Sequence, residues 1–255
     1  MAAARPPKLL TFFFPMWNEE ELVERTVDAA RETGDDLVAR GQIGDYEVLL
    51  VDDASTDATG RMADTLARAD ARVRVVHHPV NRKLGGSVRT GLAESKGDLV
   101  LYTDADMPFD LHDLNKALRL LSVYDADIVS AYRFDRTGEG ARRVVYSYLY
   151  NLLVKALLRV RLRDVNFAFK LVRREVLDRV ELESEGSFID VELLAKAQRL
   201  GFHVIQFGVD YFPRARGAST LSSPSVIVDI LRELARLLPA LRRLRPLPEH
   251  RRRGS

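Results

Sequence analysis

The chain has 255 residues, 46% of them hydrophobic and 30% charged, enough to bury a sizeable core in one large unit or two small ones. It contains no cysteine, which excludes a disulfide framework, thiolate chemistry and a cysteine-based zinc site. The net charge of +2 is uneven: from Ser225 to Ser255 eight arginines face three acids, while the rest carries slightly more acid than base, which argues against a nucleic-acid binder.

The opening "MAAARPPKLLTFFFP" holds an apolar run far shorter than a membrane span and has no signal-peptide layout, so a cytoplasmic chain is expected. "KLLTFFFP" reads as a buried strand, and "NEEELVERTVDAARETGDDLVAR" as a helix opened by Asn18 with acids in its first turn. "YEVLLVDD" is a second strand, closed by the polar "DDASTDATG"; the helix "RMADTLARA" and the short strand "VRVVHH" follow. "GGSVRTGLAESKG" reads as a helix with glycines at both ends, and "DLVLYTDAD" as a strand. After the strand "DIVSAYRF" the alternation weakens. A long helix over about 141–160 precedes "DVNFAFKLVRREVL"; then come the helix "FIDVELLAKAQRLG", the strand "HVIQFGVDYFP", the loop "PRARGASTLSSPS" and a last amphipathic helix.

Strand–helix alternation at this spacing predicts an α/β fold with a mostly parallel sheet flanked by helices. Ligands in such sheets bind beyond the carboxyl ends of the strands. Pro15 to Glu19, Asp52 to Ser55 and Asp104 to Asp106 are therefore expected at one edge. With no low-complexity linker and no internal repeat, the simplest division is a body over 1–222 and a basic helix and tail over 223–255.

Asp104 and Asp106 stand two apart, so on a strand both would point one way and could ligate a hard divalent cation. Taken alone they fit better an Asx-turn after the strand, with Asp110 capping the next helix. Asp52 and Asp53 could accept a hydrogen bond from a base or ribose, or Ser55 or Asp57 could simply cap a helix. In "NRKLGGSVRTG", Lys83, Gly85 and Gly86 open a helix N-terminus suited to an anion, without matching a Walker or GxGxxG pattern; close helix packing explains the glycines too. Arg133, Arg142, Arg143, Arg214 and Arg216 are candidates for bidentate phosphate contacts. His77 and His78 have no partner at metal-ligand spacing and read as structural or exposed.

Taken in order, "FFPMWNEEE", "VLLVDDASTDATG", "NRKLGGSVRTGL" and "LYTDADMPFDL" resemble the motifs of family 2 glycosyltransferases of the GT-A fold. "DIVSAYR", "DVNFAFKLVRREVL", "SFIDVELLAKAQRLG" and "PRARGAST" resemble the dolichyl-phosphate mannose synthase branch, which includes polyprenyl-phosphate glucosyltransferases. The likeness runs from about Leu9 to Leu221. It implies that Pro15, Trp17 and Glu19 bind nucleotide, Trp17 standing where Tyr is usual, and that Val51 and Asp53 contact base and ribose. It implies that Asp104, Ala105 and Asp106 hold a metal, Mg²⁺ or Mn²⁺, and the donor diphosphate. Arg133 and Arg143 would contact phosphate, and Arg214 would lie on a loop over the site together with Arg216 and Ser219. Two departures stand out: Thr220 replaces a usual lysine, and Pro108 takes a place where some members carry a ligating Gln.

The implied reaction is inverting transfer of a hexose from a nucleotide diphosphate sugar (GDP-mannose, with UDP-glucose next) to a polyprenyl phosphate. A phosphate monoester, with a second pKa of about 6, needs no strong base. A hydroxyl acceptor on a small molecule or glycan would need one, and Asp190 or Glu192 is then the candidate, unless both are only acids at a helix start. The last helix places Val226, Ile227, Ile230, Leu231, Leu234, Leu237, Leu238 and Leu241 at helical spacing, among or followed by Arg232, Arg236, Arg242, Arg243 and Arg245. That pattern fits an interfacial helix on an anionic membrane and equally a helix packed on the body. A peripheral place on the cytoplasmic face of a membrane, by this helix or a membrane-protein partner, is the expectation.

Overall fold

The computed structural model describes residues 6–134, 158, 162–211 and 224–248. The strands are β1 (Leu9–Met16), β2 (Asp45–Asp52), β3 (Val73–His77), β4 (Leu99–Thr103), β5 (Ile128–Arg133), β6 (Phe169–Arg173) and β7 (Val204–Val209). They form one sheet in the order β3-β2-β1-β4-β6-β5-β7. β6 runs antiparallel to both neighbours, and every other pairing is parallel.

The alternation of the strands divides the core between two faces. In β1, Phe12 and Phe14 enter one cluster and Phe13 the other. The first face is covered by α1 (Val23–Ala39), α2 (Thr59–Ala69) and α4 (Asp113–Val123), which contribute Val27, Ala30, Leu37, Ala63, Leu114 and Leu121. The second is covered by α3 (Lys83–Glu94), α6 (Ile189–Leu200) and α7 (Pro224–Arg243); the single turn α5 (Arg174–Leu177) lies between β6 and α6. Each large apolar side chain buried here contributes roughly 1.5–3 kcal/mol.

Sequence expectation and structure part at three places. α1 begins at Val23, not at Asn18, which sits at φ 55 in the loop before it. β4 stops at Thr103, so Asp104 and Asp106 lie in the turn beyond the strand. α3 begins at Lys83, which puts Gly85 and Gly86 inside its first turn. The helix expected over about 141–160 falls outside the described residues, Leu158 excepted.

α7 lays Ile230, Leu234, Leu237 and Leu241 into the second core beside Phe188 and Leu194. Beyond it, the Leu247 N–H donates to Leu200 O at 2.9 Å, tying the chain back to the end of α6. Among the described residues no helix is long and apolar enough to cross a membrane.

Candidate active site

Six parallel strands deliver their carboxyl ends to one edge, and the antiparallel β6 brings its start there, since Thr103 pairs with Phe169. Backbone strain gathers at this edge. Of the six non-glycine residues described with positive φ, Asn18, Ala54, Met107 and Asp164 lie on its loops and Lys83 opens α3 there; Asp125 alone lies at the other end. Such conformations cost of order 1–3 kcal/mol each and persist where the surroundings hold them for a purpose.

The loops after β1 and β2 clasp each other. The Asn18 N–H donates to Ser55 Oγ (3.0 Å), and Asn18 Oδ1 accepts from the Thr56 N–H (2.8 Å). The Glu19 N–H donates to Thr59 Oγ1, and Glu20 exchanges hydrogen bonds with Asp57 and the Ala58 N–H. Burial opposes ionisation of Asp57, but the bonds it accepts from Thr59 and Glu20 outweigh it and hold its carboxyl below the usual range. Asp57 accepts from the Thr59 N–H, but the N-cap of α2 is Ala58, which has no side-chain cap, so neither Ser55 nor Asp57 takes the capping position expected of it. On this frame Trp17 is 54% exposed, while Pro15 and Glu19 are half-buried. Val51 lies wholly within the second core, so only its backbone is placed to meet a ligand.

Asp53 is also enclosed. Its Oδ1 lies 2.6 Å from His78 Nδ1 and accepts the Arg82 N–H at 2.8 Å, while its backbone oxygen accepts from Asn81 Nδ2. His78 Nε2 meets the Thr90 hydroxyl at 2.9 Å, and His77 bridges Asp52 (2.8 Å) and Asp64 (3.1 Å). The histidines therefore have acid partners, which sequence spacing hid because the partners stand on other elements. Burial pulls the His77 pKa down, yet the two carboxylates outweigh it and leave it raised. Asp53 thus anchors the turn that opens α3, and beside that turn is a cleft of about 240 Å³ lined by Asn81, Arg82, Lys83, Arg89 and Glu185. Arg89 Nε is buried with no hydrogen-bond acceptor among the described residues. Three cations and an unmet donor suit an anion. The Gly85 N–H, by contrast, donates to Glu185 O, and a Cβ on Gly85 would stand 2.4 Å from Ser184 O. Close packing explains this glycine.

In the turn after β4, Ala105 O accepts the Thr26 hydroxyl of α1 at 2.8 Å, and the Met107 N–H donates to Asp104 O. Ala105 is buried, and Asp104 and Asp106 flank it half-buried. Two carboxylates in one turn are hard oxygen donors of the kind Mg²⁺ and Mn²⁺ take. Among the described residues no group of three or more His, Cys, Asp or Glu is placed to hold a metal. Arg133, at the end of β5, pairs bidentately with Asp164 (Nε–Oδ2 2.7 Å, Nη2–Oδ1 2.9 Å) and stacks over Tyr211. This partner was not anticipated from the sequence.

Asp190 and Glu192 lie inside the fold. Asp190 Oδ1 is 2.7 Å from the ammonium of Lys170, which is 0% exposed and also donates to Phe167 O. Burial pushes the Asp190 carboxyl up against the pull of Lys170. Glu192 accepts from the Glu183 and Ser184 N–H groups and pairs with Lys196. Arg142, Arg143, Arg214, Arg216, Ser219 and Thr220 fall outside the described residues.

The model of the glycosyl transferase family 2 domain matches residues 11–181. The glycosyltransferase AglD of Haloferax volcanii is 34% identical over 205 residues, covering 78% of this chain but only 32% of AglD. The polyprenol monophosphomannose synthase of Mycolicibacterium smegmatis is 30% identical over 238 residues, 88% of this chain and 85% of that protein. Among solved structures, the mannosyltransferase PcManGT of Pyrobaculum calidifontis, in complex with GDP-Man and Mn²⁺, superposes with a TM-score of 0.63 at 21% identity, covering 93% of this chain and 68% of that one. At that identity the likeness is one of fold, GT-A.

Proposed function

The chain belongs to glycosyl transferase family 2, and from that premise we propose that it transfers a hexose, mannose before glucose, from a nucleotide diphosphate sugar to a polyprenyl phosphate with inversion. The observation that carries the choice of acceptor is the burial of Asp190 and Glu192. A hydroxyl acceptor would need a base, and these two candidates are enclosed and ion-paired. A phosphate acceptor is already largely ionised near neutral pH and requires positioning and charge neutralisation instead. The name of the mycobacterial relative, a polyprenol monophosphomannose synthase, supports the same reading.

In this reading Pro15, Trp17, Glu19, the Val51 backbone and Asp53 form the nucleotide side, Asp53 chiefly by fixing the turn at Arg82. The cleft of Arg82, Lys83 and Arg89 takes negative charge of the donor. Asp104 and Asp106, with Ala105 between them, would hold Mg²⁺ or Mn²⁺, whose charge would offset that of the departing diphosphate. Arg133, oriented by Asp164, faces phosphate at the same edge, and Arg143, Arg214, Arg216, Ser219 and Thr220 are proposed to complete the acceptor side. The unit boundary near residue 222 stays part of the proposal.

Membrane attachment is proposed as peripheral, at a cytoplasmic face. Since Ile230, Leu234, Leu237 and Leu241 of α7 are buried, it would rest on the exposed Leu231, Arg232, Arg236, Arg242, Arg243 and Arg245, or on a membrane-protein partner. The test is incubation with labelled GDP-mannose or UDP-glucose, polyprenyl phosphate and Mg²⁺ or Mn²⁺. Labelled lipid from one donor is expected, and none from either overturns the proposal.

A further inference from the structure

One short segment joins the C-terminal helix to the cationic cleft. Residues 183–186 present four consecutive backbone N–H groups to two glutamates from different helices. Glu192 of α6 accepts from Glu183 and Ser184; Glu233 of α7 accepts from Glu185 (2.9 Å) and Gly186 (3.2 Å), and also from the Ser184 hydroxyl (2.8 Å). Arg236, one turn along α7, donates to Glu183 O at 3.3 Å. On its other side the segment accepts the Gly85 N–H through Glu185 O (3.0 Å), and the Glu185 residue lines the cleft with Arg82, Lys83 and Arg89.

Removing Glu233 would leave the Glu185 and Gly186 donors and the Ser184 hydroxyl without that acceptor, while the half held by Glu192 stayed in place. The portion released is the portion against α3. A Cβ on Gly85 would stand 2.4 Å from Ser184 O, so segment and helix have no slack between them, and movement of one is felt by the other.

We propose that Glu233 is a positioning residue for the donor site: its carboxylate, carried on α7, sets the 184–186 segment, and the segment sets the first turn of α3 and the cleft wall at Glu185. The inference rests on the proposed reading of that cleft as the place for the donor's negative charge.

The experiment compares wild type with Glu233→Ala, Glu233→Gln and Leu237→Ala, the last loosening the same helix without touching the segment. Amide hydrogen exchange is read at Gly85, Glu185 and Gly186, and GDP and UDP affinities by calorimetry. Glu233→Ala is expected to speed exchange at those three amides and to weaken the nucleotide that wild type binds, each by about tenfold, the scale of one lost charge-assisted hydrogen bond. Glu233→Gln, which keeps one acceptor oxygen and the fold, is expected between wild type and Ala. Leu237→Ala at equal loss of stability is expected to leave the affinity within about twofold, less than one such bond. Unchanged exchange at Gly85, unchanged affinity in Glu233→Ala, or an equal loss in Leu237→Ala overturns the inference. Should wild type bind neither nucleotide, the donor-site reading fails, and exchange at Gly85 alone decides the mechanical link.

Discussion

Neutralising one member of the Lys170–Asp190 pair is expected to cost the fold heavily, and neutralising both much less. Lys170 projects from β6, its backbone in register with Tyr102 of β4 and Ser130 of β5, and its ammonium meets Asp190 at 2.7 Å and Phe167 O at 3.0 Å with no solvent contact. Asp190 is 4% exposed. Breaking a buried pair from one side leaves an uncompensated charge and costs about 3–5 kcal/mol, against a total stability of roughly 5–15 kcal/mol. Lys170→Met and Asp190→Asn should each lose about that amount, whereas Lys170→Met/Asp190→Leu should lie within about 2 kcal/mol of wild type. Urea unfolding followed by circular dichroism measures all four proteins. In Lys170→Met the Asp190 carboxyl, already pushed up by burial, loses the cation that pulled it down. A raised acid contributes its stability below the ordinary carboxylate value and loses it as pH climbs through the raised folded value, so this variant's deficit should grow as pH rises above the ordinary carboxylate range. Additive losses in the double variant would refute the argument. So would a fully stable Asp190→Asn that has lost turnover, because it would make Asp190 a working base.

His77 gives a second pH signature: its pKa is raised by Asp52 and Asp64, so its stabilising contribution is present below the ordinary histidine value and fades as pH rises through the raised one. A thermal melt series from pH 6 upward should show that decline in wild type and not in His77→Gln. Asp104→Asn and Asp106→Asn should lower hexose transfer by about a hundredfold or more and abolish any metal-dependent gain in thermal stability with donor present. Gly91→Ala should lower the melting temperature through a loss of about 1–3 kcal/mol, because the added methyl would stand 2.0 Å from the Phe13 ring.

Much of the fold is legible in the chain because local pattern and tertiary role agree. Runs such as "LLTFFF" and "YEVLLV" are apolar on both faces, as central parallel strands must be, and their polar ends marked the correct sheet edge. The antiparallel insertion of β6 was not legible. Its "FKLVR" carries a lysine that looks exposed, and the partner that lets it be buried stands on α6.

At the candidate site the residue types were readable and their partners were not. Asn18, placed by composition at a helix start, instead bridges two loops through Ser55 and Thr56. Asp53 is turned inward to His78 and Arg82, Arg133 is held by Asp164, and Gly85 serves packing. Each of these rests on a contact between elements distant in sequence, which no local period encodes. The apolar spacing of α7 is legible, yet only the burial of Ile230, Leu234, Leu237 and Leu241 in the second core shows which surface it meets.

The central claim, that the acceptor is a lipid phosphate and not a hydroxyl, is tested most directly by offering polyprenyl phosphate and the matching free polyprenol side by side. With the preferred labelled nucleotide sugar and Mg²⁺ or Mn²⁺, label should enter the phosphate-bearing lipid with release of nucleoside diphosphate, and the free alcohol should stay unlabelled. Equal or preferential labelling of the alcohol would contradict the account.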